Sequence, residues 1–216
     1  MRRIAASRNR DLLELLLGYG AIVGVIWTPE LLQRVLSPIV LVLTLAVILS
    51  HRPSRDELGL GRRGLVPSLW ILPAAIGLTG VSIFVAAELG TLHPLYHADF
   101  GHVTGYVLWT IYQQVLLQDY FMPRLLRLRG NEPDAIALTG ILFAAAHLPN
   151  LLLTAATLIW GIASCVLFRR YRNLWVLGLA QGLLGLCFAV CVPDALHHHL
   201  RVGLGYLRYH AGHPAP

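Results

Sequence analysis

Residues 141–150 read Ile-Leu-Phe-Ala-Ala-Ala-His-Leu-Pro-Asn, and they set one imidazole, His147, in a segment apolar enough to lie inside a bilayer. A polar ring at membrane depth is costly unless it faces a partner or a water-filled cavity. Two readings follow. In one, His147 is hydrogen-bonded by a neighbouring helix and is purely structural. In the other it is kept for chemistry, and polar residues elsewhere in the chain must converge on it.

The surroundings fix the class of protein. The 216 residues are 56% hydrophobic and only 13% charged, about half the charge of an ordinary soluble domain. Apolar runs at 12–27, 35–50, 65–89, 103–122, 135–148, 151–168 and 174–192 predict an all-α, polytopic transmembrane bundle of about seven spans, although 12–27, 35–50 and 135–148 are short of the roughly 20 residues a span needs. Residues 1–216 read as one membrane domain, with 193–216 as an extracytoplasmic His-rich tail.

All 17 basic residues are Arg, and the net charge is +6. They sit in short segments between apolar runs, which excludes a basic nucleic-acid-binding face and instead supplies an orientation. Arg2, Arg3, Arg8 and Arg10 precede the first run; Arg52, Arg55, Arg62 and Arg63 follow the second; Arg124, Arg127 and Arg129 follow the fourth; Arg169, Arg170 and Arg172 follow the sixth. The intervening links are poor in Arg. The expectation is a bacterial-type cytoplasmic (inner) membrane, N-terminus inside and C-terminus outside. The basic N-terminus lacks a small-residue cleavage site after its first apolar run and reads as a retained helix rather than a signal peptide. Cys165, Cys187 and Cys191 all fall in apolar runs and read as buried free thiols.

The fourth run is unusually polar: Tyr112, Gln113, Gln114, Gln118 and Asp119. Side-chain amides can simply glue helices together. Depth argues for more. At 1.5 Å per residue, Gln114 stands roughly 15 Å from Arg124 along its helix, His147 roughly 20 Å from Asp134, and Gln181 roughly 13 Å from Arg172. Gln113, Gln114, His147 and Gln181 should therefore meet near one level. Asp119, closer to the basic end, is expected to pair with Arg124. After residue 192, His197, His198 and His199 read as solvated or interfacial, with a metal site requiring help from His93, His97 or His102.

With these positions in hand, residues 55–192 resemble the CPBP family of intramembrane proteases, the CAAX-processing and bacteriocin-processing (ABI) group. The second family motif, F-x-x-x-H, is intact as Phe143-Ala-Ala-Ala-His147. The first, E-E-x-x-x-R, falls on Gln113-Gln114-Val-Leu-Leu-Gln118; an alternative register sets Gln118-Asp119 at the paired acids, with Arg124 one place beyond the expected Arg. The third, His followed four residues on by Asn or a small residue, falls on Gln181 and Gly185. The resemblance implies an intramembrane endopeptidase, with lipid around it and a membrane-anchored peptide or protein as substrate. It also implies that a first-motif Glu activates water while the later His and Asn support the water or the oxyanion.

The departures fall on the chemistry. An amide is essentially non-basic, so Gln113 and Gln114 cannot act as a general base, whereas Gln181 can still donate to an oxyanion. Asp119 substitutes only if a kink at Pro123 turns it inward. The family label of metalloprotease leaves the cofactor as none or a divalent metal such as zinc, with His147 the one candidate ligand. Two rival readings stand beside the peptidase: an inactive pseudoprotease that binds a membrane partner or lipid-linked peptide, and a small transporter using Glu14, Glu88 and Asp119. The transporter reading lacks any internal repeat.

Overall fold

The structure, a computed structural model, describes residues 2–96 and 98–209, without the side chains of residues 2–7. His97 and residues 210–216 of the tail lie outside the described residues. The apolar runs form helices: α1 (Arg2–Ile26), α2 (Glu30–Ser50), α3 (Leu65–Ser68), α4 (Ile71–Glu88), α5 (Phe100–Val115), a π segment (Leu116–Phe121), α6 (Met122–Arg129), α7 (Glu132–Ala145), α8 (Leu151–Tyr171) and α9 (Leu174–Cys191), followed by the short α10 (Asp194–His197) and α11 (Gly203–Leu207). The protein is an all-α, polytopic membrane bundle. Glu30–Ser50, Leu65–Glu88, Leu151–Tyr171 and Leu174–Cys191 are each long and apolar enough to cross a bilayer. Leu31, Phe84 and Leu108 stand exposed on the outside of the bundle, where hydrocarbon would meet them.

Proline explains two irregularities. Pro73 has no N–H for the Leu69 carbonyl, which accepts from Leu72 N–H instead, and the third run breaks into α3 and α4. Pro123 likewise offers nothing to the Asp119 carbonyl. The preceding turn widens into the π segment, where Met122 N–H reaches back to the Leu117 carbonyl. A single wide turn of this kind carries one extra residue inside an otherwise continuous rod.

Packing sets the frame of the site. α5 and α9 cross closely: Thr110 Oγ1 donates to the Gly178 carbonyl at 2.9 Å, and a Cβ on Gly178 would come within 2.5 Å of the Ile111 side chain. Small residues at such a crossing let two backbones approach in a membrane. At the Arg-rich end, α1 is fastened to α6 by charge. Arg127 holds Asp11 through two contacts of 2.8 and 2.6 Å.

Arg124, 2% exposed, binds Glu14, donates to the Tyr120 carbonyl at 2.6 Å and lies 4.0 Å over the Tyr120 ring. The expected Asp119–Arg124 pair is therefore not formed. Asp119 sits on the π segment with Oδ2 buried and unpartnered, and the cation acting on it is Arg172. Glu14, one of the acids of the transporter reading, is paired with Arg10 and Arg124.

The described part of the His-rich tail, residues 193–209, is folded onto the bundle. Asn150 Nδ2 donates to the carbonyls of His197 and Arg201 at 2.9 and 3.2 Å, and Gly203 N–H donates to the Leu148 carbonyl at 2.8 Å. The stretch after α9 is thereby docked on the link that follows His147. His197 is 1% exposed, which corrects the solvated reading of that residue.

Candidate active site

A cavity of about 780 Å³ opens inside the bundle, walled by α1, α2, α4, α5, the π segment, α7, α8 and α9. Its wall is mostly apolar, and its polar groups include Gln33, Tyr106, Gln113, His147, Trp160 and Gln181. Among the described residues lining it, His147 is the only imidazole, and no carboxylate or guanidinium reaches it.

The end of α7 explains the orientation of His147. The helix tightens there, His147 N–H donating to Ala144 rather than Phe143. That leaves the Phe143 carbonyl free to accept from His147 Nδ1 at 2.7 Å. The Phe143 ring meets the imidazole edge-on at 4.8 Å between centroids. A proton on Nδ1 leaves Nε2 as the lone-pair nitrogen of the neutral ring. The F-x-x-x-H spacing thus supplies both a packing face and a tautomer.

The glutamines form a directed relay. Gln118 Nε2 donates to Gln114 Oε1 at 3.1 Å, Gln114 Nε2 to Gln181 Oε1 at 2.6 Å, and Gln181 Nε2 to Gln113 Oε1. Trp160 Nε1 adds a second donor to Gln181 Oε1 at 3.0 Å. Gln114 and Gln118 are 0% and 2% exposed. They form the back of the wall, while Gln113 and Gln181 face the cavity with His147.

Residues 100–187 match the family model of type II CAAX prenyl endopeptidase Rce1-like proteins. These residues resemble that family. The matched stretch runs from the start of α5 nearly to the end of α9 and holds all three motif positions, which supports the resemblance to the CPBP intramembrane proteases. Comparison with curated proteins gave no match, and neither did comparison with solved structures.

Within this Rce1-like segment, the structure brings together Gln113, Gln114, Gln118 and Gln181 by direct hydrogen bonds, and it sets His147 on the same cavity. It leaves Asp119 off the cavity wall; the π segment next to Pro123 does not turn it inward. Gly185 lines the cavity, and a Cβ there would fall 2.0 Å from the Tyr106 hydroxyl. Tyr106 thus fills the volume that a side chain at the second position of the third motif would use. Neither Tyr106 nor Trp160 was marked by the sequence, because each acts through a helix distant in the chain.

The donor set does not suit the zinc that the family label implies. A catalytic zinc wants three protein ligands from His, Cys, Asp or Glu. This wall carries one imidazole, His147, and two thiols, Cys187 and Cys191, but among the described residues three such donor atoms gather within 4.8 Å only at His93, Asp194 and His197, so the wall does not bring three ligands together.

Proposed function

We propose that the protein is a CAAX-protease-like intramembrane endopeptidase of low turnover, acting on a membrane-anchored peptide or protein that enters the cavity. The observation that carries this reading is the hydrogen bond from His147 Nδ1 to the Phe143 carbonyl, which frees Nε2 as a base on the cavity wall. In this mechanism Nε2 takes a proton from water as the oxygen attacks the scissile carbonyl. Gln113 and Gln181 N–H groups donate to the developing oxyanion, and the imidazolium returns its proton to the leaving amine. Purified protein in liposomes with a membrane-anchored peptide is the test. His147→Ala should lower cleavage by roughly 10²–10⁴-fold; unchanged cleavage removes His147 from the chemistry.

The amide relay favours a second reading, a pseudoprotease that binds the same class of ligand without cutting it. Amides preserve side-chain shape and hydrogen bonding while removing charge and basicity. Stable association with the peptide and no product in either native or His147→Ala protein would decide for this reading.

We further propose seven crossings of a bacterial-type cytoplasmic membrane with the N-terminus inside, on the alternation of arginines. Reporter fusions at Arg62, Gly101, Arg129, Asn150 and Arg172 should alternate between compartments. Two successive fusions on one side would overturn it.

A further inference from the structure

One α9 length away from Arg172, a second group of side chains gathers outside the proposed peptidase cavity. The link after α4 is pinned to the end of α9, with His93 N–H donating to the Val190 carbonyl at 3.0 Å and Thr91 Oγ1 to the Cys191 carbonyl at 2.9 Å. This carries His93 to α10, where Asp194 and His197 lie three residues apart on one helical face. One donor atom from each of His93, Asp194 and His197 lies within 4.8 Å of the others.

Three details separate this cluster from a chance gathering of polar residues. The Nε2 of the buried His197 makes no hydrogen bond of good geometry, although Asp194 Oδ1 is only 3.3 Å away and the Val192 carbonyl also acts on the ring. A buried ring nitrogen left beside a carboxylate without bonding to it calls for an explanation. Two ligands of a tetrahedral ion bound at about 2.0–2.2 Å sit roughly 3.3–3.6 Å apart, which is the spacing found.

His93 supplies the second detail. Its Nδ1 faces the Pro94 carbonyl at 3.2 Å and its Nε2 lies 2.8 Å from the Val192 carbonyl. A proton on Nδ1 held by a backbone carbonyl is the usual outer contact of a metal-bound imidazole. Third, His198, His199 and Leu200 are successive left-handed residues at φ 49°, 53° and 59°, costing roughly 1–2 kcal/mol each. Such backbone strain collects at ligand clamps and switches.

We propose that His93, Asp194 and His197 form a binding site for a divalent transition-metal ion of the zinc type, with the Val192 carbonyl or a water completing the shell. The ligands join the link before α5 to the tail after α9. Val192 and Leu200 also line the end of the large cavity, so the ion fastens the segment that covers that end. Two contacts must yield: His93 Nε2, the nitrogen that would coordinate, donates to the Val192 carbonyl at 2.8 Å, and the second is at His197. Leu200 N–H donates to His197 Nδ1 at 3.0 Å, and a neutral ring that coordinates through Nε2 carries its proton on Nδ1. Metal binding therefore releases Leu200 N–H and loosens the left-handed turn.

The test uses the full chain in detergent, purified without a polyhistidine tag, stripped with chelator and titrated with Zn²⁺ by calorimetry and with Co²⁺ by visible absorption. One ion per chain is expected. His93→Gln and Asp194→Asn should each weaken binding by more than the 10–100-fold that outer-shell partners are worth, and His197→Ala by at least as much. His198→Ala is the control, since that ring stacks on Tyr206 and Tyr209 instead. Should His197→Ala fail to fold, as judged by its melting curve without metal, the part-exposed His93 and Asp194 variants carry the test. No stoichiometric binding to the native chain overturns the proposal. So does binding that survives both His93→Gln and Asp194→Asn, including binding lost only in His147→Ala, which would place the ion in the cavity.

Discussion

Gln114→Glu alone should destabilise the bundle by roughly 3–5 kcal/mol, the scale for a buried charge without its partner, and Gln118→Arg in the same chain should return most of that loss. Gln114 is wholly buried and donates to Gln181 Oε1 while accepting from Gln118 Nε2. An ionised carboxylate in its place cannot donate, so it would face the Gln181 oxygen with repulsion and sit beside a neutral amide. The resemblance sets Gln114 and Gln118 at an acid and at the Arg of E-E-x-x-x-R. On that alignment, their 3.1 Å hydrogen bond occupies the place of an ion pair one helical turn apart. Guanidinium at 118 would restore the opposite charge and a donor to the new carboxylate. Unfolding of native, both single and double variants in detergent gives a double-mutant cycle. A coupling of about 2 kcal/mol or more is expected, and strictly additive losses would sink the idea that the two amides replaced a charge pair together.

Much of this arrangement was legible from the chain. The apolar runs became helices where hydropathy placed them, since long apolar stretches in a membrane have little alternative to helix. The shared level of Gln113, Gln114 and Gln181 followed from a fixed rise per residue, and direct hydrogen bonds now join them. What stayed hidden depends on contacts between distant segments. The Arg124–Glu14 pair spans 110 residues, so proximity in sequence favoured Asp119 instead. The π segment follows from the missing N–H of Pro123, but a proline alone does not say whether a helix kinks, breaks or widens. The three adjacent histidines looked like a solvated triplet because their divergence rests on left-handed backbone that L-residues seldom adopt. Gly185 read as a permissible small residue; only the packed structure shows Tyr106 filling its side-chain volume.

Restoring the motif groups together should create or raise peptidase activity by roughly 10²–10⁴-fold, the usual worth of a positioned general base. The variant combines Gln113→Glu, Gln114→Glu, Gln118→Arg and Gln181→His. Position 113 faces the cavity with His147, so a carboxylate there would stand on the same wall as the imidazole. Position 114 is buried, and its acid needs the guanidinium at 118. At 181 an imidazole can accept from Trp160 Nε1, which already points at that side chain from 3.0 Å. Gly185 is left alone because Tyr106 occupies its side-chain space. Cleavage of a membrane-anchored peptide should rise in this variant and fall again when His147→Ala is added. Asp119→Asn in the native chain is the companion measurement. Native cleavage that survives His147→Ala but disappears with Asp119→Asn would move the chemistry to the π segment and prove the Gln118-Asp119 register. Native cleavage insensitive to both changes would place it elsewhere, with His197, His198 and His199 the next groups to replace. A restored variant that folds, binds the peptide and still does not cut would show that the cavity lost more than its charged groups, and that this Rce1-like wall now serves to hold a membrane ligand.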